Sequence, residues 1–400
     1  MSHIVEFTIA GLAGRKDVYS KRLNRHVNVF FGLNGSGKTS LLRILDSAMS
    51  GDATTLKMVP FESAEVTIHS IEYRRDFVRT ISRTNNKNKP PSRRKKPSKQ
   101  TGRVASEMEE SLYRQLTLFE AAKDVKWKTK PLKPDTSKTD WRHIYLPTWR
   151  LNVSEEPYSV ALHRKASEIV EREIDWDIFF ARRLHMLWSN YSNKLLSKVQ
   201  EIQGEGLTNI LQGILATSRP RTSPKQLDPK KAYRHVTGFF ARQGIKTPKS
   251  LGSARAFERR YSEDAQLRRI VDHINRVELQ IEKAKTSRNK LEQLILNMFT
   301  GNKSVVFTDP EIMVETDEQR DIGLASLSSG EKHVLWIFIE ALLAEGNTLL
   351  IDEPEMSLHL DWEKSLISDI QQLNPNVQLI LATHSVEIMA DVADSNIFRL

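Results

Sequence analysis

The 400-residue chain contains no cysteine, which removes disulfides, thiolate metal sites and thiol nucleophiles together. It has no apolar run near twenty residues, and its hydrophobic fraction is 39%, so no membrane-spanning helix is expected. The opening "MSHIVEF" lacks the basic, apolar and small-residue regions of an export signal. A cytoplasmic location is the expectation that follows. Acid is missing from one stretch altogether: residues 83–103, "RTNNKNKPPSRRKKPSKQTGR", carry nine Lys or Arg and no Asp or Glu, against a net charge of +10 for the whole chain. Such a composition buries no core and reads as a basic disordered insertion. The sharper reading is an electrostatic arm for DNA or an acidic protein. No aromatic interleaves with these charges, so base stacking is not supported.

What is present starts with "FGLNGSGKTSLLRIL" (31–45), a full match to G-x-x-x-x-G-K-[ST] with Gly32, Gly37, Lys38 and Thr39 in the fixed places. An apolar β-branched and aromatic run precedes it and a helical pattern follows, the context the motif requires. Backbone N–H groups of the loop, spanning Asn34, Gly35, Ser36, Gly37 and on to Ser40, are expected to close around a phosphate. Lys38 would reach the β/γ oxygens and the Thr39 hydroxyl would ligate Mg²⁺. ATP and Mg²⁺ are the implied ligands. In "TLLIDEPEMSLH" (348–359) a buried strand ends on Asp352, placed for the Mg²⁺ water shell, and Glu353, placed to polarise an attacking water. A strand-end Asp is often only a cap; beside a complete P-loop the functional reading prevails.

Strands are expected at 3–11 and 25–31 around a turn, and a hairpin at 62–82 where apolar and polar positions alternate. "HIYL" (143–146) reads as a short buried strand stopped by Pro147. Residues 155–245 are mostly helical in pattern, with Trp176, Phe179, Phe180, Trp188 and Tyr191 as a core stripe. From Ser262 to Met298 the apolar positions, Leu267 the first and Met298 the last, alternate steps of three and four, interrupted at Arg288, which suits a helical pin of roughly 55 Å. The last hundred residues alternate strand and helix, as a sheet covered on both faces does. The expected fold class is α/β: a P-loop head split by a helical insertion. Its segments are 1–82, the insertion 83–103, a linker 104–154, the helical insertion with its short coiled coil 155–303, and 304–400.

"LSSGEKH" (327–333) resembles the signature motif of ABC-type ATPases, with Ser328, Ser329 and Gly330 in the pattern's positions and Ser329 replacing the usual first glycine. Its Glu-Lys ending is similar to the SMC, RecF and OLD-like branch. "LATHS" (381–385) looks like the switch region, which puts His384 at the γ-phosphate. Four motifs thus stand in the family's order over residues 1–80 and 304–400. The resemblance implies a homodimer of heads sandwiching two nucleotides, with Ser328 and Gly330 touching the γ-phosphate in trans and residues 358–361 lining the shared interface. It also implies catalysis by Glu353, His384 and Lys38. A glutamine loop, usual in the family, is absent after "HIYL", where Thr148 and Arg150 stand instead.

Within that branch the chain is most similar to the ATPase component of PARIS-type anti-phage systems, with Septu and retron-associated ATPases close behind. That resemblance implies a higher homo-oligomer acting as sensor and scaffold, holding a separate TOPRIM-like nuclease effector until an acidic viral trigger protein is met. The chain ends just after its expected final strand, and no further His/Asp/Glu cluster suggests a second metal site, so cutting would come from another polypeptide. The rival expectation is a DNA-repair or recombination ATPase that clamps DNA directly.

Overall fold

Strand direction sorts the head into two sheets around one helix. β1 (Ser2–Ala10) pairs antiparallel with β2 (Val18–Arg22), then β3 (Val27–Phe31) runs into α1 (Lys38–Ser50). β4 (Ser63–Ser70) and β5 (Arg75–Ser82) form the expected hairpin, β6 (Lys128–Lys130) joins its edge, and β7 (His143–Leu146) follows. The computed structural model describes residues 2–83, 126–130, 141–148, 176–215, 227–242, 244, 246–299, 301–318 and 322–400. The basic insertion beyond Arg83, Arg150 and the helical expectation for 155–175 lie outside them.

The described residues divide into two compact units, Met1–Asp177 with Leu324–Leu400, and Ile178–Gly323. In the first, the antiparallel sheet has the order β2-β1-β4-β5-β6. A separate parallel sheet has the order β12-β3-β11-β10-β7, where β10 is Thr348–Asp352, β11 Gln378–Thr383 and β12 Ile397–Arg399. Strands β10 and β11 are buried at every position, the signature of a sheet covered on both faces. α1 lies between the sheets: its Leu41, Leu42, Ile44, Leu45, Ala48 and Met49 share one core with Ile4, Phe7 and Val66 on one side and Phe30, Leu350 and Ile380 on the other. Its far end is closed by the buried Arg79, whose guanidinium donates to the Ala48 and Met49 carbonyls and stacks 4.2 Å from the Trp141 ring. β2 was not anticipated in the expected turn between β1 and β3; its Lys21 and Arg22 keep an edge strand from pairing further.

The second unit begins in α2 (Trp176–Leu215) and continues through α3 (Pro229–Arg242), α4 (Ala254–Glu263) and α5 (Ala265–Met298). α3, α4 and the start of α5 close on Val236, Phe257, Tyr261, Val271 and Ile274. Residues 227–276 hold twelve Lys or Arg against five Asp or Glu, a second basic concentration besides 83–103. The hairpin β8 (Lys303–Phe307) and β9 (Ile312–Thr316) belongs to this unit and not to the terminal sheet. The turn between its strands is short, with Thr308 N–H donating to the Glu311 carbonyl at 2.9 Å, so the two strands pair with each other.

Arg288, the break in the apolar pattern, is explained by its cage. It donates to Glu292, to Asp309 and to the Phe307 carbonyl, and lies 5.4 Å from the Trp188 ring centroid. Burial works against its charge, and the hydrogen bonds to Asp309 and Glu292 more than offset it, holding its pKa above the usual guanidinium value. Trp188 itself is fully buried and donates to the Thr308 carbonyl at 2.7 Å, so it is core, as its helical spacing suggested.

α2 and α5 approach closely at Gly206, where an added Cβ would lie 2.2 Å from Val277 Cγ2. A helical glycine replaced by alanine ordinarily gains about 1 kcal/mol, but overpacking a buried site costs about 1–3 kcal/mol, and β-branched Val277 has no free rotamer to yield. Gly206→Ala is therefore expected to lower the melting temperature, and Val277→Ala added to it to restore the loss. A more stable single variant, read by thermal denaturation, would disprove the packing.

Candidate active site

The P-loop follows β3 and ends on the αL glycines Gly35 (φ 81°) and Gly37 (φ 97°). At Gly37 any side chain is strained, and a Cβ would stand 2.8 Å from that of Ala13. Lys38 is buried, its ammonium donating to the Gly32 carbonyl at 2.8 Å and the Leu33 carbonyl at 3.2 Å. Arg15, not anticipated from the sequence, donates to the Ser36 carbonyl at 2.9 Å and ties down the loop from outside. Asn34 and Gly35 are exposed; Ser36, Thr39 and Ser40 are half-buried at the start of α1.

The carboxylate faces this loop from the end of β10. Asp352 is 1% exposed, and its Oδ2 accepts from the Thr148 hydroxyl at 3.1 Å. The Thr39 hydroxyl stands close enough to favour its charged form, so P-loop, β7 exit and β10 meet at one side chain. Burial pushes the Asp352 carboxyl up to about 6, the Glu353 charge adds to this, and the two threonine hydroxyls and Arg43 act against it. Its other oxygen, Oδ1, is buried with no hydrogen-bond partner among the described residues. A half-satisfied carboxylate beside the Thr39 hydroxyl fits Mg²⁺, which prefers oxygen ligands and keeps part of its water shell. Thr148, which stands where a glutamine was expected, thus has a visible task in orienting Asp352.

Glu353 is held in the left-handed region (φ 49°), with its N–H donating to the Ala382 carbonyl at 2.8 Å. Such backbone costs of order 1–3 kcal/mol and persists where surroundings over-determine it. Ser357, four residues on, is also left-handed (φ 68°). Between them Glu355 is buried, and its Oε1 lies 2.7 Å from Thr383 Oγ1, 2.7 Å from His384 N and 2.8 Å from His384 Nδ1. Glu355 is not among the site residues expected from the sequence. Nothing in "DEPE" says which way the second glutamate points until β11 is known to lie beside β10.

Ser328 caps α6 (Ser329–Leu343) in a reciprocal box: Glu331 N–H donates to its hydroxyl at 3.3 Å and Ser328 N–H donates to Glu331 Oε2 at 2.6 Å. Ser328 and Ser329 are exposed and Gly330 is buried. A Cβ on Gly330 would meet the Ser357 carbonyl at 2.4 Å, so glycine is required here by packing within the chain. His333, on the next turn, donates from Nδ1 to the Met356 carbonyl at 2.8 Å, and burial lowers its pKa to about 4, which keeps it neutral. The serine-bearing helix end is therefore fixed to the turn that follows the carboxylates. α7 (Leu360–Leu373) then starts beyond that turn, and α8 (Val386–Met389) starts after His384.

A family model described as AAA ATPase domain matches residues 16–389. Among curated proteins, a segment is 28% identical over 90 residues to "Retron Vc95 probable ATPase" from Vibrio cholerae serotype O1 biovar El Tor, covering 19% of this chain and 18% of that one. Another is 38% identical over 71 residues to "Energy-coupling factor transporter ATP-binding protein EcfA2" from Spiroplasma kunkelii, covering 17% of this chain and 23% of that one. The chain thus matches about a fifth of the length of these relatives. Among solved structures, the Smc head domain of Pyrococcus furiosus, bound to the C-terminal domain of ScpA, superposes with a TM-score of 0.41 at 12% identity, covering 100% of this chain and 93% of that one. The SMC head domain from Thermotoga maritima gives 0.40 at 9% identity, covering 97% and 91%. Those superpositions are slight, and the sheet order and the loop geometry define the fold here.

Ionising Asp352 in its buried place costs stability: with a folded pKa of about 6 against an ordinary 3.8, the cost is absent below about pH 4, grows between the two values and is complete above pH 6, at about 2–3 kcal/mol. Asp352→Asn is expected to raise the melting temperature of metal-free protein at pH 7.5, with the gain shrinking as pH is lowered toward 4. Melting curves in chelator across that range check it, and equal stability of both proteins at pH 7.5 would contradict the desolvated carboxylate.

Proposed function

The chain belongs to the AAA ATPase domain family, an ATP-hydrolysing enzyme, and on that premise we propose that hydrolysis takes place at the rim joining the P-loop to Asp352 and Glu353. The observation that carries this reading is a buried carboxylate that accepts from Thr148, lies beside the Thr39 hydroxyl and has a second oxygen without a hydrogen-bond partner among the described residues. Loop N–H groups from Asn34 to Ser40 hold the phosphates. Lys38 leaves its two carbonyl partners and neutralises the terminal phosphate. Thr39 and Asp352 hold Mg²⁺, which when bound neutralises charge on the phosphate oxygens. Glu353 takes the proton of the attacking water, its carboxylate set by the left-handed backbone one residue past the metal ligand. His384 donates to the terminal phosphate from the β11 loop.

The site is composite in this reading. Ser328 and Ser329 stand at an exposed helix N-terminus, which suits an anionic phosphate supplied by a second copy of the chain. Three large apolar residues sit exposed around the rim, Leu33 on the P-loop at 83%, Leu360 at the start of α7 at 49% and Val386 at the start of α8 at 66%. A facing head would cover them, with residues 358–361 in the shared interface. ATP then closes two heads and hydrolysis releases them.

The biological setting we propose is anti-phage defence, with the chain as sensor and scaffold that holds and frees a separate nuclease on meeting an acidic viral trigger. The retron relative supports it. A higher homo-oligomer and a TOPRIM-like effector belong to this proposal. A second reading, a repair ATPase clamping DNA, is favoured by the twelve basic residues of 227–276. Among the described residues no helix is long and apolar enough to cross a membrane.

Lys38→Ala is expected to weaken ATP binding at least about 10-fold, and Glu353→Gln to lower turnover about 10²–10⁴-fold while keeping ATP bound. Turnover per chain should rise with protein concentration; a rate indifferent to it would refute the composite site. Co-purification with a neighbour-encoded nuclease and little stimulation by DNA are expected for the defence role. Salt-sensitive DNA affinity with DNA-stimulated turnover is the outcome that would replace it with the repair role.

A further inference from the structure

Four donors converge on one oxygen of Glu355. The Thr383 hydroxyl (2.7 Å), His384 N–H (2.7 Å) and Ser385 N–H (3.2 Å) reach Oε1, and His384 Nδ1 lies 2.8 Å from it. The carboxylate is 6% exposed, while the His384 side chain is 48% exposed. Its Oε2 is buried without a hydrogen-bond partner among the described residues. A neutral cap such as serine would complete a strand end at less desolvation cost. An ionised acceptor is what draws two backbone N–H groups, a hydroxyl and an imidazole into one arrangement.

The turn that carries Glu355 does not give way. Its two ends are left-handed at Glu353 and Ser357. Met356 N–H donates to the Glu353 carbonyl at 3.2 Å and Leu358 N–H to the Glu355 carbonyl at 3.0 Å. On its far side the His333 ring is bonded to the Met356 carbonyl at 2.8 Å, and the Gly330 backbone lies against the Ser357 carbonyl. Glu355 is thus a fixed post and the 383–385 loop is what it holds. With one ring hydrogen on Nδ1 given to Glu355, Nε2 turns outward, and it donates to a phosphate as the doubly protonated imidazolium, the form that a facing carboxylate supports.

We propose that Glu355 is a positioning residue for ATP hydrolysis: it sets the loop 383–385 and the ring of His384 so that Nε2 meets the terminal phosphate. This rests on the proposed hydrolytic site, in particular on the role given to His384.

The test compares Glu355→Ala, the isosteric Glu355→Gln, His384→Ala and the double variant Glu355→Ala/His384→Ala by kcat, KM for ATP and melting temperature. Glu355→Ala is expected to lower kcat about 10²-fold, the scale of a misplaced reacting group, with KM changed less than about 3-fold by the same reasoning of position over binding. Glu355→Gln, which keeps an acceptor for the two N–H groups, should recover part of the rate. The double variant should be no slower than His384→Ala, because one group acts through the other. Full kcat in both Glu355 variants, or losses that multiply in the double variant, would overturn the proposal while leaving the hydrolytic site standing. Full kcat in His384→Ala overturns both the proposal and the role of His384. A parent chain with no ATP turnover sinks the hydrolytic site and this proposal together.

Discussion

Parallel register is the constraint on which the site depends. β7, β10, β11, β3 and β12 run the same way, with Leu349 level with Leu379 and Leu379 level with Val27. Their carboxyl ends therefore fall along one rim, where open α/β sheets bind ligands. Thr148 leaves β7, Asp352 ends β10, Thr383 ends β11 and the P-loop leaves β3, so four segments distant in sequence become neighbours. The register is pinned by the fully buried Gln378, which accepts from Ile4 N–H at 2.8 Å and donates to the Ile4 carbonyl at 2.7 Å, joining the second sheet to the first. Turning any one of these strands around would carry its loop to the opposite rim.

Along that rim three acids occupy four positions, and the structure treats each differently. Asp352 is buried against hydroxyls and left half-satisfied, which suits a cation. Glu353 itself stands in left-handed backbone and is half-buried, which suits contact with water. Glu355 turns inward and draws the next loop to itself. Folding alone would not bury two carboxylates with unpaired oxygens. Stability is given up here to fix direction, as functional sites commonly do.

The inserted unit follows a different logic. Its core is built by aromatic and aliphatic side chains, and beside them Arg288 is enclosed by two carboxylates, a carbonyl and an indole. α5 spans 34 residues, about 50 Å at 1.5 Å per residue, so it is a short pin with a basic three-helix cluster where its chain turns. Arg288 interrupts the heptad-like pattern because at that level α5 packs on Trp188 and the β8–β9 hairpin.

What the sequence determined by itself was local. The P-loop, the buried strands, the acidic pair after β10 and the long helix of the insertion rest on spacing and residue type, and those act over a few neighbours. Edge strand β2 escaped because five residues of mixed polarity carry no clear period, and the β8–β9 hairpin was assigned to the wrong unit because alternation does not say what a strand pairs with. The tertiary structure alone decided that Thr148 reaches Asp352 across 204 positions, that Gly330 is glycine because Ser357 lies against it, and that Glu355 faces His384. The physical reason is common to all three: which loops meet is set by strand order and helix packing, and these are sums of many long-range contacts that no short stretch of residues records.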